Sequence, residues 1–295
     1  MTNNDAAKKF NELRSRGRLI YLVYGLGLTA GLILLLLRQY KFALAAFLLV
    51  VLLYLFIVRP IIKQYTEQWR EYCVRRFTET HFSPVEYTYA GKAKDIPGLW
   101  EHPQLPISQK NAGGLLVRNI ARCGHDKVPA VITDATIPVE EGKRVNFLSG
   151  AWMSFPFETG VGETVRTVKG PIMMAGLYAE HLASEGWKAC SMGNRMNDDI
   201  AVCTKSGECE LHKEVLACLR RLVNVPNKEC IVDIAPDGLY VFVPHRLINK
   251  RPPALRYNIT PEWLETIDFP EIDEAYLLAL TLYNEHQQAV QEKQN

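Results

Sequence analysis

The sequence predicts an α+β protein, with an N-terminal transmembrane α-helical hairpin followed by a mostly antiparallel α+β cytoplasmic domain. Two uncharged apolar runs, residues 19–37 and 42–58, stand back to back with four residues between them. Basic residues crowd the outer flanks of the pair. From Val128 onward, short β-rich stretches alternate with turn residues and a few helical stripes.

A bilayer core of about 30 Å takes roughly 20 apolar residues at the helical rise, and both runs fit that length. Helices buried in a soluble core normally keep a polar stripe, and neither run has one. A secretory leader would have an apolar region of roughly 7–15 residues and a small-residue cleavage site. Here Arg38, Gln39, Tyr40 and Lys41 follow, and then a second run. The expectation is two retained spans.

Lys8, Lys9, Arg14, Arg16 and Arg18 precede the hairpin, and Arg59, Lys63, Arg70, Arg75 and Arg76 follow it, whereas the turn carries only Arg38 and Lys41. The positive-inside rule therefore expects both termini in the cytoplasm of a plasma (inner) membrane, with Arg14, Arg16, Arg18, Arg59 and Lys63 as topology determinants. Gly27 and Gly31 form a GxxxG, which lets helix backbones approach closely where lipid supplies no hydrophobic drive. Those glycines can serve a homo-oligomer or the hairpin itself, and the second is the preferred reading. No acidic residue or histidine lies in either run, so the usual mark of a proton or ion path is missing.

The chain of 295 residues divides into a basic N-terminus (1–18), the hairpin (19–58), a juxtamembrane helix (59–80), an α+β domain (81–284) and a polar tail (285–295). A net charge of +2 is too small to imply nucleic acid. The partners expected are the lipid bilayer and a protein or a second copy of the chain. Seven cysteines, odd in number and without a CxxC pair, suit reduced thiols in the cytoplasm. No cofactor is implied.

Residues 59–80 continue as an amphipathic helix bearing Ile62, Tyr65, Trp69, Tyr72 and Phe77. Prolines 84, 97, 103 and 106 mark an irregular linker with one strand at 85–89, and residues 107–121 read as a helix. A meander of strands follows at 128–139, 144–155 and 163–168, joined by short turns. Residues 172–184 read as a helix closed by Gly186, then strands at 187–191 and 199–204 flank a turn at 193–198. Leu211, Val215, Cys218, Leu219 and Leu222 make the clearest apolar stripe, giving a helix over 210–223. A hairpin at 229–244 turns on Pro236, Asp237 and Gly238. Thr260 before Pro261 is an N-cap with proline at N1, and a last helix starts at Asp273 and frays into the tail.

The segment from Val145 to Trp152, read as Phe147-x-x-Gly150-x-Trp152, is similar to the F-x-G-x-F strand opening of a family of bacterial two-span membrane proteins carrying a cytoplasmic domain of unknown function. The helix over 211–222 followed by strands at 229–234 and 239–243 resembles that family's late helix and hairpin. The glycine spacing departs from the pattern by one residue. The resemblance implies a fold and an anchor, and it brings no activity or site residues.

Cys123, Gly124, His125 and Asp126 put a thiol, an imidazole and a carboxylate within four residues, the residue types a thiol nucleophile needs. Residues so close in sequence rarely reach triad geometry, so a loop ahead of a strand is the alternative. Cys203, Cys209 and His212 depart from the C-x₂₋₄-C spacing of structural zinc, and no metal site is expected. Gly160 and Gly162 lack the lysine of a phosphate loop and read as a turn. Trp152, Phe155 and Phe157 form a partner-binding lip if exposed, and core if buried. The function expected is a membrane-anchored binding or scaffold module of unknown specificity. The alternatives are an anchored hydrolase or transferase using Cys123 and His125, and an oligomeric effector or pore assembled through Gly27 and Gly31.

Overall fold

The computed structural model describes residues 2–81, 86–102, 115–125, 128–141, 144–170, 182–190, 200–225, 229–247, 252–254 and 257–294. The chain forms two compact units, residues 1–76 with 250–268, and residues 77–249 with 269–295.

The first unit is built on α1 (Asn3–Leu36), α2 (Tyr40–Leu53) and α3 (Arg59–His81). Two of its helices, Asn3–Leu36 and Tyr40–Phe77, are long and apolar enough to cross a membrane. The turn between α1 and α2 is a Schellman motif: Arg38 N–H donates to the Leu35 carbonyl and Gln39 N–H to that of Leu34. Arg38 takes the left-handed position at φ 59°, where glycine is usual. A π-turn, Tyr54–Val58, joins α2 to α3. Its cause is Pro60, which has no N–H for the Phe56 carbonyl and whose ring would strike it, so Arg59 N–H reaches back five residues to Tyr54 instead.

Beyond the apolar runs, the helices stay together through aromatic side chains. Ala6, Phe10 and Leu13 recur at helical spacing along α1 and are buried, as are Tyr65, Trp69 and Tyr72 along α3. The Phe10 ring lies 5.4 Å from Trp69 and 5.7 Å from Tyr72. Trp69 in turn stacks on Trp263 at 5.7 Å, in the short helix α5 (Pro261–Glu265). Thr260 caps α5, accepting from Trp263 N–H at 3.2 Å, with Pro261 at N1. Residues 250–268 therefore leave the expected 81–284 domain and pack with the N-terminal helices.

Among the described residues the second unit holds nine strands, β1 (Glu86–Gly91), β2 (Leu116–His125), β3 (Val128–Glu141), β4 (Arg144–Pro156), β5 (Val165–Lys169), β6 (Lys188–Ala189), β7 (Ile200–Thr204), β8 (Cys230–Ala235) and β9 (Gly238–Val243). They form one sheet in the order β1-β2-β3-β4-β9-β8-β5-β7-β6, with each neighbouring pair antiparallel. With the helices, this is the α+β class expected.

The β8–β9 hairpin sits at the sheet's centre, and all twelve of its residues are buried, so its apolar run does not alternate. One face packs Ile96, Leu99, Val117, Ile137, Trp152, Tyr240 and Phe242 together. The other is covered by α6 (Pro270–Gln294), whose Ile272, Ala275, Leu278 and Leu282 are buried at helical spacing and whose Tyr276 meets Phe155. Helix α4 (Lys213–Asn224) runs antiparallel to α6: His212 meets Glu285, Cys218 meets Thr281 and Arg221 meets Glu274.

Two elements correct the expectations. Residues 115–125 are extended, not helical. Between Arg118 and Ala121 a bulge inserts one extra residue, with Asn119 at φ 53°, so Val117 and Ile120 recur at a helix-like spacing while both point into the core. The polar tail expected at 285–295 is instead the final part of α6, helical to Gln294. The helix expected at 172–184 and the turn at 193–198 lie largely outside the described residues.

Candidate functional site

A cleft of about 830 Å³ opens on the second unit between the β4–β5 loop, the 204–212 segment and the last turns of α6. Its floor is apolar, formed by Val161, Val165, Leu211, Val215, Leu282 and Val290, and its rim carries Glu158, Glu163, Glu208, Glu210, Glu285, His212, His286 and Lys293. Five carboxylates against one lysine make the opening acidic.

Each wall is fixed by local chemistry. Buried Thr159 donates its hydroxyl to the Ala235 carbonyl at 2.6 Å, and its N–H donates to that of Pro236 at 3.1 Å. Gly160 follows at φ 78°, where a Cβ would lie 2.7 Å from His286 Nδ1. Glycine there permits both the left-handed turn and the close approach of loop to helix. Glu163 accepts from Lys205 N–H at 3.1 Å, from Ser206 N–H at 3.2 Å and from the Ser206 hydroxyl. The Ser206 hydroxyl, with those backbone donors, holds its carboxyl below the ordinary range. Glu163 is thus committed to the turn.

Two imidazoles face the cleft, each against a carboxylate. His212 Nδ1 lies 2.5 Å from Glu285 Oε1, and His286 Nε2 lies 3.7 Å from Glu158 Oε2. Glu214, in the first turn of α4, brings its carboxylate to the first pair, so that one ligand atom each from His212, Glu214 and Glu285 lies within 4.8 Å of the others.

The residues singled out from sequence fall elsewhere. Cys123 is buried in β2, and burial pushes its thiol up to about 12. A thiol so held carries almost no thiolate near neutrality, which removes the physical basis for a nucleophile there. His125 ends β2 opposite Val128; its side chain and Asp126 lie outside the described residues. Trp152 and Phe155 are 1 % and 0 % exposed, which rules out the lip. Three residues apart on a strand, they face opposite sides of the sheet, Trp152 toward Tyr240 and Phe155 toward Tyr276. Phe157 is half-buried beside Tyr283. Gly150 of the strand-opening motif meets β9 closely, since a Cβ would lie 2.4 Å from the Val243 carbonyl oxygen.

Gly27 and Gly31 face α2 of the same chain, with a Cβ at Gly27 falling 2.7 Å from Val50 and one at Gly31 falling 3.0 Å from Phe47. Arg14 is buried and donates to the Asn11 side chain at 2.5 Å, while Arg16, Arg18, Arg59 and Lys63 are exposed. Lys63 pairs with Glu67.

The cleft escaped the sequence because its groups come from three separated segments. The signal present was the Glu285-His286 pair, placed beside the Ile272–Leu282 stripe at helical spacing in a stretch read as frayed tail. Comparison with family models, with curated proteins and with solved structures finds no match to this chain.

Proposed function

We propose that this protein is a membrane-anchored cytoplasmic binding module whose acidic cleft takes a ligand at the inner face of a bacterial-type membrane. The observation that carries the anchor is the low burial of the two apolar helices. The most apolar window of each is only 6 % and 17 % covered by the rest of the protein. Leu22, Leu26, Leu36, Phe42, Leu44 and Phe56 are exposed along them. A lipid environment removes that surface from water at about 25 cal/mol per Å². The charge asymmetry about the Arg38 turn supports the orientation, and seven free cysteines suit the reducing compartment. The burial of the Cys123 thiol, which pushes its pKa up, favours binding over thiol chemistry.

Two measurements test the reading. A Gln39→Cys variant should react with a membrane-impermeant thiol reagent in intact cells, and a reporter fused after Asn295 should report the cytoplasm. Labelling confined to inverted vesicles would overturn the topology. A photo-crosslinker at Val161 should capture a specific ligand or protein from membranes. Turnover of a substrate by the purified protein that is lost in Cys123→Ala would overturn the binding role.

A further inference from the structure

We propose that Cys190 and Cys209 are a disulfide-forming pair, an oxidation site that a low-molecular-weight disulfide closes at one wall of the cleft. The proposal goes beyond the binding role and needs neither the membrane nor a bound ligand.

The two thiols come from separate elements and meet at one hydroxyl. Cys190 follows β6, and its N–H donates to the Val202 carbonyl at 2.8 Å, so it stands opposite Val202 of β7. Ala189, one residue earlier, pairs with Cys203. Side chains alternate along a strand, so Cys190 points to the side of Val202 and Thr204 and away from Cys203. Its thiol accordingly donates to Thr204 Oγ1 at 3.5 Å. That hydroxyl accepts from Gly207 N–H at 2.9 Å and donates to the Glu208 carbonyl at 3.0 Å, which folds the turn after β7 back over it. Gly207, at φ 90°, allows the reversal. The Glu208 peptide leads directly into Cys209, and the Cys209 thiol hydrogen-bonds to that of Cys190.

Access and acidity set the order of events. Cys73, Cys123, Cys218 and Cys230 are buried, whereas Cys209 is half-buried and lines the cleft. Cys190 is 6 % exposed and lies behind it. A small disulfide therefore reaches Cys209 first, with Cys190 as the resolving thiol. Burial, with Cys190 alongside, pushes the Cys209 thiol up to about 11. Little thiolate is present near neutrality, so the first attack is slow and quickens as pH rises. The same lack of thiolate stabilisation means that oxidation gives up little, and the disulfide once formed resists reduction.

The Cys209 thiolate attacks one sulfur of the small disulfide RSSR, forming a mixed disulfide and releasing RS⁻. The Cys190 thiolate then attacks the Cys209 sulfur and releases the second RS⁻. The two protein thiol protons pass to the two leaving thiolates. Two protein thiols are thus oxidised to one disulfide, and RSSR is reduced to two RSH. The new bond ties β6, last in the sheet order, to the cleft wall that carries Glu208 and Glu210.

The full-length protein in detergent micelles, reduced and then given oxidised glutathione at pH 8.5, should lose two hydrogens by intact mass. Peptide mapping should place the bond between Cys190 and Cys209. Its rate of formation should rise about tenfold from pH 7.5 to 8.5, as the thiolate fraction does. Amide exchange at residues 188–190 and 207–210 should slow after oxidation. Cys190→Ser should stop at a glutathione adduct on Cys209, which the unaltered protein does not accumulate. Accumulation of that adduct in the unaltered protein would overturn the proposal, because the two thiols would then not meet. So would a bond from Cys209 to any other cysteine, or no reaction of Cys209 at all.

Discussion

Asn11 and Ile259, at opposite ends of the chain, hold each other by two hydrogen bonds: Asn11 Nδ2 donates to the Ile259 carbonyl at 2.7 Å, and Ile259 N–H donates to Asn11 Oδ1 at 3.1 Å. The amide side chain of one helix therefore acts as a strand would, satisfying both polar groups of a buried residue. Arg14 donates to the same Oδ1 at 2.5 Å and reaches Asn258 at 3.5 Å. Burial, with Arg18 nearby, lowers the Arg14 pKa from its ordinary value.

Asn11→Leu should leave the Ile259 N–H and carbonyl buried without partners, at about 1–3 kcal/mol for such groups. Amide hydrogen exchange should rise at Ile259 and across residues 257–265, while exchange in β8 and β9 stays slow. Unchanged exchange at Ile259 would show that the two bonds do not hold the segment.

The hairpin makes a sharper contrast within one helix. A Cβ at Gly27 would meet Val50 at 2.7 Å, and a Cβ at Gly25 would meet nothing within 4 Å. Gly27→Leu should force α1 and α2 apart, at about 1–3 kcal/mol for overpacking, while Gly25→Leu is tolerated. Cysteine crosslinking between α1 and α2 should fall only in the first variant. Equal crosslinking in the two would mean that the glycines do not set the hairpin.

The helical pair, the β3–β4 hairpin, the apolar stripe of α4 and the capped start of α5 were legible because each is written in local spacing and turn chemistry. The meander expected to run on from β4 to β5 does not form, because β9 and β8 insert between them: β4 pairs with β9, and β5 with β8 and β7. Strand β2 was not, because the bulge at Asn119 makes a strand repeat like a helix. The departure of residues 250–268 was invisible for a different reason. It rests on Trp69 stacking on Trp263 and on the Asn11 bracket, and neither leaves a pattern in its own neighbourhood. The cleft shares that character, since His212 and Glu285 meet only once α4 and α6 have packed. The Cys123 cluster drew attention by being close in sequence, and the sheet then used its thiol as an apolar filler.

Within the second unit, Arg166 and Asp233 face each other across β5 and β8 and form a two-point pair, Nε to Oδ1 at 2.7 Å and Nη2 to Oδ2 at 2.5 Å. Their side chains are 4 % and 0 % exposed, and the guanidinium also lies 4.4 Å over the Trp187 ring. Asp233→Ala strands a buried cation and should cost about 3–5 kcal/mol, whereas Arg166→Met with Asp233→Leu should cost less than that single change. Urea unfolding followed by proteolysis measures both. A double variant worse than Asp233→Ala would mean that the pair itself, and not avoidance of a lone charge, stabilises the sheet.

Cys123 and Cys230 are buried thiols pushed by that burial to about 12, from an ordinary value of 9.0. Below pH 9 both the folded and the unfolded chain keep these protons, so the two sites give stability no pH dependence. Between pH 9 and 12 the unfolded chain loses them and the folded chain does not. The folded state then binds more protons, and stability falls as pH rises, by up to about 1.4 kcal/mol per pH unit for each thiol. Thermal unfolding of the full-length protein from pH 8 to 10.5 should therefore show a midpoint that declines above pH 9. Cys123→Val should reduce that slope, and iodoacetamide should label Cys123 only as the protein unfolds. Rapid labelling of folded protein at pH 8 would mean an exposed thiolate, and the nucleophile reading of Cys123 would return.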